Sequence, residues 1–149
     1  MNVALWPAQP TDAGATGAIL AGFQGETHWM PKLYSGAQAI AFCGEMIARG
    51  WVTVAVDGGR VVGFIARDGP EICALYVAQG ARGRKVGTGL LQGAKAQQGR
   101  LRLRVFQANK GAQRFYTRAG FQEVARANGC KNDENLPEIS YIWQQENRT

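Results

Sequence analysis

Glu71-Ile72-Cys73-Ala74-Leu75-Tyr76-Val77 is followed closely by Arg82-Gly83-Arg84-Lys85-Val86-Gly87-Thr88-Gly89 and then by Leu90-Leu91. The first run is short, apolar and bounded by Gly69-Pro70, which reads as a buried strand. The second is a basic loop rich in glycine. The third opens a segment, 87–98, that carries Leu90, Leu91 and Ala94 on one side and reads as an amphipathic helix. A helix start presents unpaired backbone N–H groups and the positive end of the helix dipole. Glycines let those amides approach a phosphate closely, and the neighbouring arginines and lysine add charge. The junction is therefore an expected anion cradle. Two common phosphate loops do not fit it. A Walker loop ends in Gly-Lys-Ser/Thr, and a dinucleotide fingerprint needs a glycine where Gln92 stands.

The remaining chain alternates in the same way. Residues 3–6 read as a strand. Thr11-Asp12 offers a helix start, followed by Ala15, Ile19 and Phe23 at helical spacing. After a loop over 26–34, Ser35-Gly36-Ala37-Gln38 resembles a capping box, with Ile40, Cys43 and Ile47 as the apolar stripe behind it. Residues 51–56 and 60–67 read as a hairpin around Asp57-Gly58-Gly59. Leu101, Leu103 and Val105 alternate with Arg102 and Arg104, a strand with one charged face. Ala112, Phe115, Tyr116 and Ala119 form a helical face closed by Gly120. Residues 121–127 and 138–144 read as the last two strands. The expected order is β-α-α-β-β-β-α-β-α-β-β. It predicts an α/β (α+β) protein with a mixed, mostly antiparallel central sheet and helices on both faces, in one domain over 1–149. Cys73, inside its apolar strand, reads as inert core.

Composition narrows the function. Of 149 residues, 46% are hydrophobic and 19% charged, which suits a folded globular chain. No apolar run approaches the roughly 18 residues of a membrane span. The start Met1-Asn2-Val3-Ala4-Leu5-Trp6-Pro7 lacks a basic segment and an apolar core, so a cytoplasmic protein is expected. Three widely spaced cysteines and a single histidine suit neither a disulfide framework nor a zinc site, and no metal is expected. The formal net charge of +6 is unevenly spread. Residues 82–118 carry ten basic side chains and no acidic one, which favours an anionic partner. A nucleic acid is not the expected partner, because Val62-Gly63-Phe64-Ile65-Ala66 lacks the paired aromatics of an RNA-stacking strand.

Leu75-Tyr76-Val77, the loop Arg82-Gly83-Arg84-Lys85-Val86-Gly87 and Leu90-Leu91 resemble motif A of the GCN5-related N-acetyltransferases, written Q/R-x-x-G-x-G/A. Asn109-Lys110-Gly111-Ala112-Gln113-Arg114-Phe115-Tyr116-Thr117-Arg118-Ala119-Gly120-Phe121 resembles their motif B. Aligned on Leu90-Leu91, Lys85 takes the place of the first motif A glycine, and the pattern is matched in full as Arg84-x-x-Gly87-x-Gly89.

The resemblance implies that acetyl-CoA lies where the strands at 71–77 and 100–106 splay apart. The main chain near Leu75 and Val77 would hold its pantetheine arm. Amides of Arg82, Gly83, Arg84, Lys85, Val86, Gly87, Thr88 and Gly89 would hold its pyrophosphate, and Asn109 would face it. It implies direct acetyl transfer to a primary amine of a small molecule or peptide in a ternary complex. The alternative is a non-catalytic acyl-CoA-binding sensor with the same fold. Tyr116 is the expected general acid and Glu71 the candidate base. Glu26, His28, Trp29 and Tyr34 would line the acceptor pocket. The late loop over 128–137 would close over the acceptor, with Asp133 or Glu134 receiving a cationic amine. The strand bearing Ile139, Tyr141 and Trp143 is available for pairing across a homodimer.

Overall fold

The computed structural model describes residues 3–32, 35–130, 132 and 134–146. The strands are β1 (Val3–Pro7), β2 (Val52–Asp57), β3 (Arg60–Asp68), β4 (Glu71–Val77), β5 (Arg100–Phe106), β6 (Gln122–Ala127) and β7 (Glu138–Gln144). The α-helices are α1 (Ala13–Glu26), α2 (Gly36–Ala48), α3 (Val86–Gln97) and α4 (Lys110–Arg118). The strands form one seven-stranded sheet in the order β1-β2-β3-β4-β5-β7-β6. Every neighbouring pair is antiparallel except β4 and β5, which run parallel. The expected element order and sheet type are both found.

Local chemistry accounts for the boundaries. At the start of α2, Gln38 N donates to Ser35 Oγ at 3.1 Å and Ser35 N donates to Gln38 Oε1 at 2.8 Å, a complete capping box. The β2–β3 hairpin turns through Gly58 and Gly59, both at positive φ, as a tight two-residue turn requires. Gly120 ends α4 at φ +92°.

The core lies in two layers. Leu20, Cys43, Met46, Ile47, Val54 and Phe64 pack α1 and α2 against one face. Val86, Leu90, Leu91, Leu103, Tyr116 and Ile139 pack α3 and α4 against the other. Lys95 of α3 fastens the end of α4. Its ammonium donates to Ala119 O and lies 4.9 Å from the Trp143 ring centre, and burial lowers its pKa.

Three expectations are corrected. The buried stripe of α2 is Ala39, Cys43, Met46 and Ile47, while Ile40 stays 40% exposed. Ile40 instead meets α1, where Gly17 leaves room for its backbone. The strand bearing Ile139, Tyr141 and Trp143 is not an edge. It is β7, paired on both sides, with Ile139 and Tyr141 buried, so it is not available to a second copy. The edge beyond it is β6, exposed along its whole length and bulged at Val124, a feature that discourages edge pairing. Finally, Cys73 is not core. In β4, Ala74 pairs with Ala66 and Ile72 with Arg67, which leaves Cys73 as an extra, exposed bulge residue.

Candidate active site

That bulge shapes the site, because an extra residue bends the strand that carries it. Among the described residues, β4 and β5 meet in one registered pair, Glu71 opposite Arg102, and then diverge. Arg102 N donates to Pro70 O at 2.9 Å, and Arg102 Nε lies 2.8 Å from Glu71 Oε2, closing that end. Beyond it a cleft of about 460 Å³ opens between the strands. Ile72 to Val77 form one wall, Leu103 to Phe106 the other, and Phe115 and Tyr116 of α4 also line it.

The backbone of β4 supplies donors to this cleft. Ala78 N donates to Val62 O, so the antiparallel ladder places the hydrogen-bonded pairs at Tyr76 and Ala74. The alternate residues Leu75 and Val77 therefore turn their amides away from β3 and toward the split. An extended chain laid there would find strand-like partners. Val77 O already accepts from Arg82 Nε at 3.1 Å.

The loop expected to form the anion cradle starts its helix one residue earlier than the sequence suggested. Helix α3 starts at Val86, and Gly89 N donates to Lys85 O at 3.0 Å. Gly89 thus spends its amide within the helix, which leaves Val86, Gly87 and Thr88 as the free amides of the first turn. Gly83, Lys85, Val86, Gly87 and Thr88 line a concavity of about 320 Å³ beside the cleft, joined to it by Val77, Arg82 and Gly87. Arg84, between Gly83 and Lys85, is exposed. A second groove of about 470 Å³ between α3 and α4 carries Arg114 and Arg118.

Lys85 sits at φ +64°, in the left-handed region that favours glycine. The position explains why a glycine is usual there. Lys85→Gly is expected to raise stability by about 1 kcal/mol or leave it unchanged, whereas a β-branched Lys85→Val should lower it by more than 1 kcal/mol. Urea denaturation of the two variants checks this, and a destabilised Lys85→Gly would contradict it.

Tyr116 is 8% exposed and lines the cleft. Its ring packs edge-on to Phe115 at 5.0 Å and to Phe121 at 5.4 Å between centroids. Burial, with a smaller contribution from Tyr76, pushes its phenol well above the ordinary range. Tyr76 also lines the cleft, and burial, with the Glu134 carboxylate second, pushes its phenol up to about 12. Both are protonated at neutral pH. Asn109 lines the cleft and caps α4, its Oδ1 accepting from Ala112 N at 3.1 Å.

Other expected site residues fall elsewhere. Glu71 stands at the closed end, paired with Arg102 and reached by Arg104 at 3.9 Å, and it does not line the cleft. A carboxylate so engaged ties the two strands together at that end. Glu26 ends α1 and pairs with Arg82 of the loop before α3. His28 is exposed in the turn after α1. Trp29 stands edge-on to Phe23 at 6.3 Å and to Phe106 at 5.8 Å, and both of those rings line the cleft. Tyr34 and Asp133 lie outside the described residues. Sequence reasoning missed Phe23, Phe106 and Tyr76 as cleft residues. The alternation of residues 71–77 and 101–106 signals which faces are buried, but not where two strands part.

Comparison with known proteins agrees with this geometry. The sequence matches no curated protein. The fold is shared with solved structures at low identity. The apo form of YjaB from Escherichia coli superposes with a TM-score of 0.81 at 21% identity, over 98% of this chain and 100% of that one. An N-acetyltransferase from Staphylococcus aureus Mu50 gives 0.74 at 23%, over 98% and 100%. YncA from Salmonella typhimurium, a putative acetyltransferase solved with its cofactor acetyl-CoA, gives 0.73 at 18%, over 100% and 97%. Residues 48–123, which span the bulged strand, the cradle and Tyr116, match the model of the acetyltransferase (GNAT) domain. The chain therefore belongs to the GNAT family of acetyltransferases, whose acetyl donor is acetyl-CoA.

Proposed function

We propose that residues 1–149 act as one N-acetyltransferase unit that passes acetyl directly from acetyl-CoA to a primary amine of a small molecule or peptide. The observation that carries this reading is the split between β4 and β5, with free main-chain donors on one wall, an amide cradle at its mouth and Tyr116 inside it. The pantetheine arm lies along Leu75 and Val77. The amides of Val86, Gly87 and Thr88, with Gly83, Arg84 and Lys85 beside them, hold the pyrophosphate. Arg114 and Arg118 suit the remaining phosphate.

Both substrates are held together, so proximity supplies much of the rate and no covalent enzyme intermediate is needed. The neutral amine attacks the thioester carbonyl, forming the C–N bond. The Val77 N–H supports the developing oxyanion. The C–S bond then breaks, and Tyr116 gives its proton to the departing thiolate and regains one from the new amide nitrogen. One further proton, released when the ammonium became an amine, passes to solvent.

Cys73 provides a direct test of the cofactor's place. It is exposed and lines the cleft, though burial of its thiol and the nearby acids raise its pKa. A maleimide at mildly alkaline pH should label Cys73 and Cys130 and spare buried Cys43. Saturating acetyl-CoA should protect Cys73 alone, and initial rates of CoA release should show intersecting double-reciprocal lines. Unprotected Cys73, or no calorimetric binding of acetyl-CoA, would overturn the reading. Binding without turnover on any amine would favour the sensor alternative.

A further inference from the structure

The split between β4 and β5 opens to both faces of the sheet. On the α3 and α4 face, Leu103 and Val105 are buried, and Leu75 and Val77 pack against the same core layer. Tyr116 and the start of α3 belong to that side, and acetyl-CoA is seated there in the proposed reaction. Side chains alternate along a strand, so Arg104 and Phe106 of β5 stand on the opposite face. On β4, Ala74 and Tyr76 belong to that opposite face, in the layer under α1 and α2. Among the described residues that layer takes nothing from β5, and Arg104 is exposed beyond it. All four line the cleft, as does Phe23 of α1, whose ring lies 5.2 Å from that of Tyr76. An amine that meets the thioester from the face away from α3 meets these side chains.

Charge in the cleft is of one sign. Among the described residues, Arg82 and Arg104 are the charged side chains that line it. Arg82 pairs with Glu26 and donates to Val77 O at 3.1 Å, at the cradle end. Arg104 lies 3.9 Å from Glu71 and 3.6 Å from Glu138, longer than hydrogen bonds. Neither acid lines the cleft, and each has a nearer donor: Arg102 Nε at 2.8 Å from Glu71, and Asn132 Nδ2 at 3.4 Å from Glu138. A guanidinium carries five N–H donors in a planar fork, and two long ion pairs do not use them up. That fork matches the two oxygens of a carboxylate. Phe106 follows two residues along the same face, about 7 Å away. A carboxylate and an apolar group within that span, with an amine on the atom that joins them, describe an α-amino acid.

Resting on the transferase reading above, we propose that the acceptor is a free α-amino acid with an apolar side chain. Arg104 holds its carboxylate, Phe23 and Phe106 receive its side chain, and its amine turns into the split toward the thioester. The neutral amine forms the C–N bond as the C–S bond breaks, giving the N-acetylamino acid, CoA and one proton. A diamine would set its second ammonium against the guanidinium, and an amide or simple alkylamine would leave the fork without an oxyanion.

The test is a series that changes one group at a time: L-phenylalanine and L-leucine, their amides, 2-phenylethylamine, and putrescine as the diamine. At saturating acetyl-CoA, kcat/KM for the free acids should exceed that for their amides and for 2-phenylethylamine by about tenfold or more, with putrescine the poorest. Arg104→Gln should shrink the acid-over-amide ratio to about twofold or less, chiefly by raising KM for the acid, and Arg104→Lys should restore part of it. A residue that only steadied the strands would lower acid and amide together and leave their ratio alone. Calorimetry of acetyl-CoA on each variant checks that the cleft is intact. Equal or better use of the amides, 2-phenylethylamine or putrescine, or an acid-over-amide ratio that survives Arg104→Gln, would overturn the acceptor assignment and leave the transferase reading standing. So would a failure of both amino acids to bind or react while another amine is acetylated. Binding of L-phenylalanine to the CoA-loaded protein that Arg104→Gln abolishes, with no CoA release on any amine, would uphold the carboxylate site and overturn the transferase reading instead.

Discussion

Tyr116→Phe should lower kcat for acetyl transfer by about 100- to 1,000-fold while changing acetyl-CoA affinity by no more than about twofold. The size of the effect follows from what the substitution removes. The ring is held by Phe115 and Phe121 at edge-on distances that phenylalanine reproduces. Only the hydroxyl is lost, and in the proposed mechanism it is the hydroxyl that protonates the leaving thiolate. A thiolate leaving a tetrahedral intermediate in a buried cleft has few other proton sources. Burial keeps the Tyr116 phenol protonated well into alkaline solution, so the wild-type rate should not fall from loss of this acid below about pH 10. Tyr76→Phe is the matched control, since that residue lines the same cleft and its phenol is likewise pushed up by burial, to about 12. Steady-state rates, calorimetric Kd and Tm measured on both variants decide the matter. Undiminished kcat in Tyr116→Phe removes the assignment, and a larger loss in Tyr76→Phe transfers the role to that residue.

The parts of this site that could be read in advance are those set by neighbours along the chain. The Ser35–Gln38 box, the Gly58-Gly59 turn and the alternation through Arg100–Phe106 each depend on a few consecutive residues, and each is found. The cradle is of the same kind, since a glycine loop entering a helix exposes amides wherever it occurs. What escaped depends on partners distant in sequence. Cys73 is a bulge only because β3 sets the register of β4. Glu71 is neutralised by an arginine 31 residues away. Strand β7 is interior because β6 folds back outside it, although its apolar pattern would equally suit a pairing edge. Trp29 gains its meaning from Phe106, which the topology brings to it across the split. The two glutamates expected at the active site, Glu26 and Glu71, are paired with arginines of other elements, which no local pattern announces.

Gly17→Ala should be the most damaging glycine-to-alanine change within the helices, for a reason that sequence alone does not display. A Cβ at Gly17 would stand 2.6 Å from the Ile40 Cα and 2.8 Å from its nitrogen, contacts with backbone that no rotamer change relieves. Helices α1 and α2 must move apart, at a cost of about 1–3 kcal/mol, and Tm should fall by roughly 5–10 °C. Gly22→Ala in the same helix is the control. Nothing lies within 4 Å of its added methyl, so the better helix former should hold or raise stability by up to about 1 kcal/mol. The two changes differ in function as well. Beyond Gly17 the same helix carries Phe23 to the cleft and Glu26 to Arg82. Displacing α1 should therefore raise KM for the acceptor more than it weakens acetyl-CoA, whose proposed contacts belong to β4 and the start of α3. Equal Tm for the two alanine variants would mean that the helices do not meet backbone to backbone at Gly17. A loss confined to acetyl-CoA affinity would mean that α1 does not shape the acceptor side.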